Sequence, residues 1–175
     1  KTALLLAGLF LQGETSIREP LASRDHTERM LKHLGADISW QDRSVRLLGG
    51  RPLKARDLVV PGDPSSAAFF VVAALITADS DIRIRSICAN PSRTGYLRVL
   101  ERMGAFIEWT EQRECSGEPV ADLRVKTSSL TATEIPPEEV PATLDEIPVL
   151  CVAAAFARGR TRIWGAAELR VKESD

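Results

Sequence analysis

The chain has 175 residues, enough for one domain or parts of two, and its 23 Lys and Arg nearly balance its 24 Asp and Glu, for a net charge of −1. That balance provides no basic stripe, which argues against a general nucleic-acid or membrane surface. Three cysteines without Cys-x-x-Cys spacing argue against a disulfide scaffold and a zinc site, and the apolar stretches are too short to span a bilayer. We therefore expect a soluble globular protein of mixed α and β structure from a reducing compartment.

Both ends of the chain are predicted to lie inside secondary structure elements. An apolar run at residues 3–10 follows Lys1 with no capping residue before it. The last residues, Glu173-Ser174-Asp175, have the charged composition of a helix start. Natural domains seldom begin or end within an element, so the sequence predicts an internal fragment of a longer protein.

An internal repeat is visible in residues 29–40 and 98–109, which share Arg, Leu, Gly, Ala, Ile and Trp at one constant offset. Each stretch belongs to a longer pattern of an apolar helix, an alternating strand, an amphipathic helix and a hairpin. The pattern predicts the same αβαββ arrangement over residues 6–48 and 72–126. The fold class is therefore α+β, with a repeated unit.

The repeat also makes local predictions. Gly35 and Gly104 each follow an amphipathic stretch and suit the left-handed position after a helix. The first hairpin is expected to pair residues 37–40 with residues 44–48. The second hairpin is expected to have a longer loop, at residues 115–119.

The apolar helices of the repeat begin each copy, and a third copy starts near residues 152–156 before the chain stops. They are apolar on nearly all sides, so we expect them to be buried on most sides. A strand at Asp57–Val60 is expected to open the second copy, which would make each unit βαβαββ. Gly and Pro between the copies mark loops or a crossing between domains.

Three segments resemble a known family. Residues 19–31, residues 60–69, and residues 144–150 with their continuation at 168–175 are similar to the enolpyruvyl transferases, and to the 5-enolpyruvylshikimate-3-phosphate synthases in particular. The closing Arg-Val-Lys-Glu-Ser-Asp and the Ser-Arg-Asp-His-Thr-Glu that begins at Ser23 carry most of this similarity. The resemblance covers essentially the whole chain.

The resemblance implies a fold of two domains, each made of three βαβαββ units around a pseudo-threefold axis. Residues 1–58 would end the domain that chiefly holds shikimate 3-phosphate, residues 59–61 would cross between the domains, and residues 62–175 would belong to the second. The implied reaction transfers the carboxyvinyl group of phosphoenolpyruvate to the 5-hydroxyl of shikimate 3-phosphate. The implied enzyme is a cytoplasmic monomer that acts on small molecules without a metal or organic cofactor.

Two acids are the catalytic candidates that the resemblance implies. Asp145 matches the aspartate that contacts the reacting hydroxyl, and Glu173 matches the glutamate that handles the proton at the methylene carbon of phosphoenolpyruvate. From the residues alone, without the resemblance, Asp145 is interpreted as a helix cap or a first-turn acid. Lys172 matches a ligand of shikimate 3-phosphate, although Lys172 and Glu173 also read as a solvated ion pair at a helix start.

Three further residues are expected to bind substrate. The resemblance implies that Ser23 contacts the substrate phosphate, with Arg24 beside it and Glu168 at a further contact position. A hydroxyl and a guanidinium at a helix start suit a phosphate. The structural alternative is a capping box, since Asp25 precedes Glu28 by three residues.

The family's other Lys and Arg contacts to substrate lie outside this chain under the resemblance, so the chain alone is expected to be inactive. Two alternatives remain open from the sequence. The parent protein could be the related enzyme that acts on UDP-N-acetylglucosamine, or the chain could be a folded module without catalytic activity.

Overall fold

The computed structural model describes residues 1–171, and Lys172 and Glu173 lie outside the described residues. The chain divides into two compact units. The first comprises residues 1–60 together with residues 114–118, and the second comprises residues 61–113 together with the chain from Pro119 onward. Within residues 1–171, no helix is long and apolar enough to cross a membrane.

The first unit is one complete αβαββ copy. Its three strands form an antiparallel sheet in the order β1-β3-β2. The elements in chain order are α1 (Thr2–Gly8), β1 (Gly13–Arg18), α2 (His26–His33), β2 (Asp37–Gln41) and β3 (Ser44–Gly49).

The core of the first unit follows from alternation along its strands. Val45 and Leu47 of β3 are buried, while Ser44 and Arg46, which alternate with them, are exposed. Leu5 and Leu31 bring one buried side chain from each helix to this cluster. Few apolar residues are therefore enough to hold both helices on one face of the sheet.

The second unit contains another complete copy and the start of a third. The strands of the complete copy form a sheet in the order β4-β6-β5, and the two short strands β7 and β8 pair in parallel. The elements are α3 (Pro64–Ile76), β4 (Asp81–Cys88), α4 (Gly95–Arg102), β5 (Phe106–Cys115), β6 (Glu118–Lys126), β7 (Glu134–Ile135), α5 (Ile147–Phe156) and β8 (Arg162–Ile163), with 3₁₀ turns at Val140–Ala142, Leu144–Glu146 and Ala167–Val171.

The predicted repeat is confirmed by the order of elements and by the sheets. Both complete copies run αβαββ, and in each the last strand lies between the other two. Both amphipathic helices also end in the same way, with φ of +85° at Gly35 and +95° at Gly104. The amide of the following alanine donates to a carbonyl five residues back, from Ala36 to Leu31 and from Ala105 to Leu100, which is the bond expected of a Schellman motif.

Two predictions about connections were wrong. Residues 57–60 form no strand, and the nearest pairing is an isolated parallel bridge between Gly62 and Ile87. The second hairpin has a short turn rather than a long loop, because β5 continues to Cys115 and β6 begins at Glu118. Ser116 and Gly117 both have positive φ, which two-residue hairpin turns require.

The expectation that the apolar helices are buried on most sides was also wrong for this chain. On α3, Phe69 and Phe70 are 67% and 66% exposed, although Val71 and Val72 beside them are buried. Phe156 of α5 is similarly exposed. Each helix buries one side against its own unit and leaves the other apolar side uncovered.

Candidate functional site

In the first unit, the predicted substrate-binding residues precede α2. Ser23 and Arg24 are both exposed in the segment between β1 and α2. The hydroxyl of Ser23 donates to Glu19 Oε1 at 2.5 Å. Ser23 is therefore held by a carboxylate in this structure, so its hydroxyl has to turn away from Glu19 before it can bind an anion.

A lysine links this segment to the helices of the unit. Lys1 Nζ lies 3.0 Å from Glu19 Oε2 and 2.7 Å from Glu28 Oε1. Glu28 is only 1% exposed, and an isolated buried carboxylate is costly. The Lys1 ammonium therefore compensates two carboxylates, one in the core of the unit and one beside Ser23.

The pKa values of this group reflect the pairing. Burial opposes the charged form of Lys1, but hydrogen bonds and the charges of Glu28 and Glu19 outweigh it and raise the pKa of the ammonium. Burial likewise opposes the charged form of Glu19, but hydrogen bonds from Ser23 and Lys1 outweigh it and lower the pKa of that carboxyl. Lys1 and Glu19 are consequently both ionised at neutral pH.

The capping box proposed for α2 does not form. Asp25 occupies the N-cap position, but its side chain makes no capping bond and accepts instead from Arg29 Nε at 2.9 Å. Glu28, the other half of the proposed box, pairs with Lys1. His26, the first residue of α2, shares a hydrogen bond of 2.7 Å with Glu118 of the same unit.

In the second unit, Asp145 lies in the 3₁₀ turn that leads into α5. It is the one exposed residue between Thr143 and Ile147. The residue that precedes α5 is Glu146 rather than Asp145, so Asp145 is not its N-cap. A carboxylate presented to solvent by a buried turn is accessible to a substrate.

A polar network of the second unit surrounds this turn. Glu146 is 4% exposed and accepts from Ser65 Oγ at 2.5 Å. Arg93 donates to Ser65 Oγ and to Asp63 Oδ1, both at 2.8 Å. Asp63 caps α3 by accepting from the amides of Ser65 and Ser66.

Charge and burial in this network act on two ionisable groups. Burial raises the pKa of the Asp63 carboxyl, but hydrogen bonds from Ser66, Ser65 and Arg93 outweigh it and hold that pKa below its ordinary value. Burial, followed by the negative charges of Glu146 and Asp63, raises the pKa of the Tyr96 hydroxyl. Tyr96 therefore stays neutral and donates to the carbonyl of Pro64 at 3.0 Å.

The remaining predicted site residues lie near the end of the chain. Glu168 is exposed in the last 3₁₀ turn. Lys172 and Glu173 are outside the described residues. The predicted catalytic roles of Asp145 and Glu173 therefore stay predictions.

Sequence reasoning missed the buried partners of the site. Glu146 was not singled out, although an acid beside Asp145 at the start of an apolar helix is an available signal. Ser65 and Arg93 lie far from Glu146 in the sequence. The hydrogen bond between Ser65 and Glu146 joins residues 81 positions apart, which a local pattern cannot predict.

The chain matches a family model described as EPSP synthase (3-phosphoshikimate 1-carboxyvinyltransferase) over residues 1–175. Proteins named 3-phosphoshikimate 1-carboxyvinyltransferase from Geobacter metallireducens and Carboxydothermus hydrogenoformans are each 55% identical over 175 residues. These matches cover 100% of the chain and 41% of each relative. The chain thus spans about two fifths of the length of the curated relatives it matches.

Solved structures agree with these relatives. An EPSP synthase from Acinetobacter baumannii superposes with a TM-score of 0.93 at 47% identity, covering 98% of this chain and 39% of that one. The enolpyruvyl transferase NikO from Streptomyces tendae superposes with a TM-score of 0.66 at 20% identity. The second similarity concerns the fold alone.

Proposed function

The chain belongs to the EPSP synthase family, and we propose that it is part of an enzyme that transfers the enolpyruvyl group of phosphoenolpyruvate to the 5-hydroxyl of shikimate 3-phosphate with release of phosphate. The observation that carries this proposal is the 55% identity, over all 175 residues, to relatives named 3-phosphoshikimate 1-carboxyvinyltransferase. Similarity over the full chain length favours this reaction over the alternative UDP-sugar substrate. The domain assignment is part of the proposal, with residues 1–58 on the shikimate 3-phosphate side and residues 62–175 in the other domain.

Asp145 is the proposed general base of this reaction. The 5-hydroxyl adds to C2 of phosphoenolpyruvate while C3 gains a proton, and Asp145 takes the hydroxyl proton. Glu173 is proposed to give the proton to C3 and to remove one again when the tetrahedral adduct loses phosphate. Exposure of the Asp145 side chain beside a buried turn supports its part.

Besides Asp145, four residues are proposed to contact shikimate 3-phosphate. Ser23 and Arg24 would contact its phosphate, and Lys172 and Glu168 would contact the substrate near Asp145. The close carboxylate of Glu19 would repel a phosphate if it were uncompensated, and Lys1 at 3.0 Å supplies the compensating charge. The reaction as proposed uses small substrates only, with no metal or organic cofactor, in a cytoplasmic monomer.

The test is phosphate release by the full-length protein when it is mixed with both substrates, together with detection of the enolpyruvyl product. Omitting either substrate should abolish release. Replacing shikimate 3-phosphate by shikimate tests the need for the substrate phosphate that Ser23 and Arg24 are proposed to bind. Release with UDP-N-acetylglucosamine as acceptor, and none with shikimate 3-phosphate, would contradict the proposal.

A further inference from the structure

Buried polar residues on both sides of Asp145 hold its turn by hydrogen bonds. Thr143 and Glu146, which flank Leu144 and Asp145, are 1% and 4% exposed. The Thr143 hydroxyl donates to the Glu139 carbonyl at 2.9 Å, and the Glu146 amide donates to the Thr143 carbonyl at 2.9 Å. The backbone on both sides of Asp145 is therefore bonded within its own segment.

The Glu146 side chain connects this turn to α3 through Ser65, and Arg93, just before α4, bonds to the same Ser65 hydroxyl. Arg93 has no acceptor atoms, so the 2.8 Å bond obliges it to donate to the Ser65 hydroxyl. The single hydrogen of that hydroxyl is then directed to Glu146 Oε1, 2.5 Å away. The bonds form a chain of fixed direction, from the guanidinium through the hydroxyl to the carboxylate, in which both ends can be charged.

The same arginine joins this chain to the start of α3. Arg93 also donates to Asp63 Oδ1 at 2.8 Å, and Asp63 caps α3. Residues just before or inside the first turns of α3, α4 and α5 are thus bonded to one another. Asp145 is attached by one peptide bond to the last member of this set.

We propose that the partly buried Arg93 and Ser65 and the buried Glu146 form a positioning relay that holds Asp145 in the orientation needed for proton transfer. The inference rests on the proposed function, because it assigns a role to the surroundings of the proposed base. Stability alone explains the relay poorly, since buried ion networks often stabilise a fold no better than apolar residues of the same volume. A base misplaced by about 1 Å, by contrast, can slow a reaction about a hundredfold.

The experiment uses the full-length protein with Ser65→Ala and Glu146→Gln. Each should lower kcat by about tenfold or more while changing KM for phosphoenolpyruvate by less than about twofold, because the base is displaced while that substrate still binds. Ser65→Thr keeps the hydroxyl and should restore kcat to within about threefold of the wild type. The matched control is Ser66→Ala, whose hydroxyl lies in the same helical turn and bonds only to Asp63.

The double variant separates a relay from two independent effects. Ser65→Ala combined with Glu146→Gln should cost little more than either change alone, because both break the same chain of bonds. Ser65→Ala removes a hydrogen-bond partner of the buried Glu146 and should lower the thermal midpoint. The kcat values are therefore compared at a temperature well below the midpoint of every variant, where a loss of kcat is not unfolding.

Three results would overturn the relay: unchanged kcat in Ser65→Ala and Glu146→Gln, an equal loss in Ser66→Ala, or failure of Ser65→Thr to recover activity. In each of these cases the proposed function is still supported if the wild type turns over and Asp145→Asn is inactive. Absence of wild-type turnover would remove the proposed function and the relay together.

Discussion

Burial divides the carboxylates around the candidate site into two kinds. Asp145 is exposed, so it can meet a substrate and exchange a proton with it. Glu28 and Glu146 are buried, and each lies within bonding distance of a cation or a hydroxyl of its own unit. A buried carboxylate that lost its partner would destabilise the fold, which suits these two residues to structural support.

Replacing Asp145 in the full-length protein tests whether this exposed carboxylate acts in catalysis rather than in stability. Asp145→Asn should keep the size of the side chain and lower kcat by about 10²–10⁴-fold, the usual contribution of a general base. The thermal midpoint should hardly change, because Asp145 is not the N-cap of α5. Glu138→Gln, at an exposed acid of the same segment, is the control. Near-normal kcat with a lowered midpoint would mean that Asp145 is a capping residue instead.

The pairing of Lys1 with Glu19 predicts a pH dependence of stability. The pKa of Glu19 is lowered from 4.5 on folding, so its contribution is full above about pH 4.5 and is lost as the pH falls through the folded value. The pKa of Lys1 is raised from 10.5, so its contribution is full below about pH 10.5 and is lost as the pH rises through the folded value. The pairing should therefore stabilise the protein between these limits.

Thermal midpoints of the full-length protein measured against pH would check this window. Glu19→Gln should lower the midpoint at neutral pH, and the difference from the wild type should shrink below pH 4.5, the ordinary value for its carboxyl. Glu14→Gln, at an exposed acid of β1, should show no such pattern. A difference that persists unchanged at acid pH would show that Glu19 stabilises by packing rather than by charge.

At the scale of elements, the repeat could be predicted because its signal is local. Residues 29–40 and 98–109 each contain a helix end, a glycine and a strand within a dozen positions, and both copies folded as expected. The strand predicted at 57–60 did not form, because a short apolar run before a repeat unit does not guarantee a partner strand. The exposure of Phe69 and Phe70 on α3 has a similar cause. The sequence pattern shows which helix faces are apolar, but it does not show which of those faces another element covers.

The two glycines that end α2 and α4 provide a matched prediction. Gly35 and Gly104 have φ of +85° and +95°, and a Cβ at either would meet its nearest atom at 3.4 Å or 3.5 Å. Space is therefore sufficient, and the cost of Ala comes from the backbone, about 1–2 kcal/mol at each position. Asn tolerates this conformation better and should cost less.

Thermal or denaturant unfolding of Gly35→Ala, Gly104→Ala and the two Asn variants measures this effect. Similar losses at both sites would reflect the shared Schellman geometry. Ala variants as stable as the wild type would show that the two turns relax to another conformation.

At the scale of the whole molecule, much of the site could not be predicted because it depends on contacts distant in sequence. Asp145 and Ser23 are candidates through a resemblance carried by short motifs, and their roles stay predictions. Lys1 and Glu28 were not candidates, since their pairing joins the start of α1 to α2 across the first unit. The chain also corresponds to only 41% of a relative, so a complete set of substrate contacts is not expected within it.

The isolated 175-residue chain should therefore have no measurable synthase activity, although it contains the proposed base. Both substrates carry several negative charges, and a transition state of this kind needs several cationic contacts, each worth roughly 10²–10³-fold in rate. The resemblance implies that the family's other Lys and Arg contacts lie outside this chain, and two of the chain's own cations are already engaged, Lys1 by Glu19 and Glu28 and Arg93 by Asp63. The measurement is phosphate release by the purified chain with both substrates, beside the full-length protein at equal concentration. Circular dichroism of the same sample should show helix and strand, so that inactivity is not mistaken for unfolding. Turnover comparable to that of the full-length protein would mean that the residues of this chain are sufficient for the reaction and that no further Lys or Arg contacts to the substrates are needed.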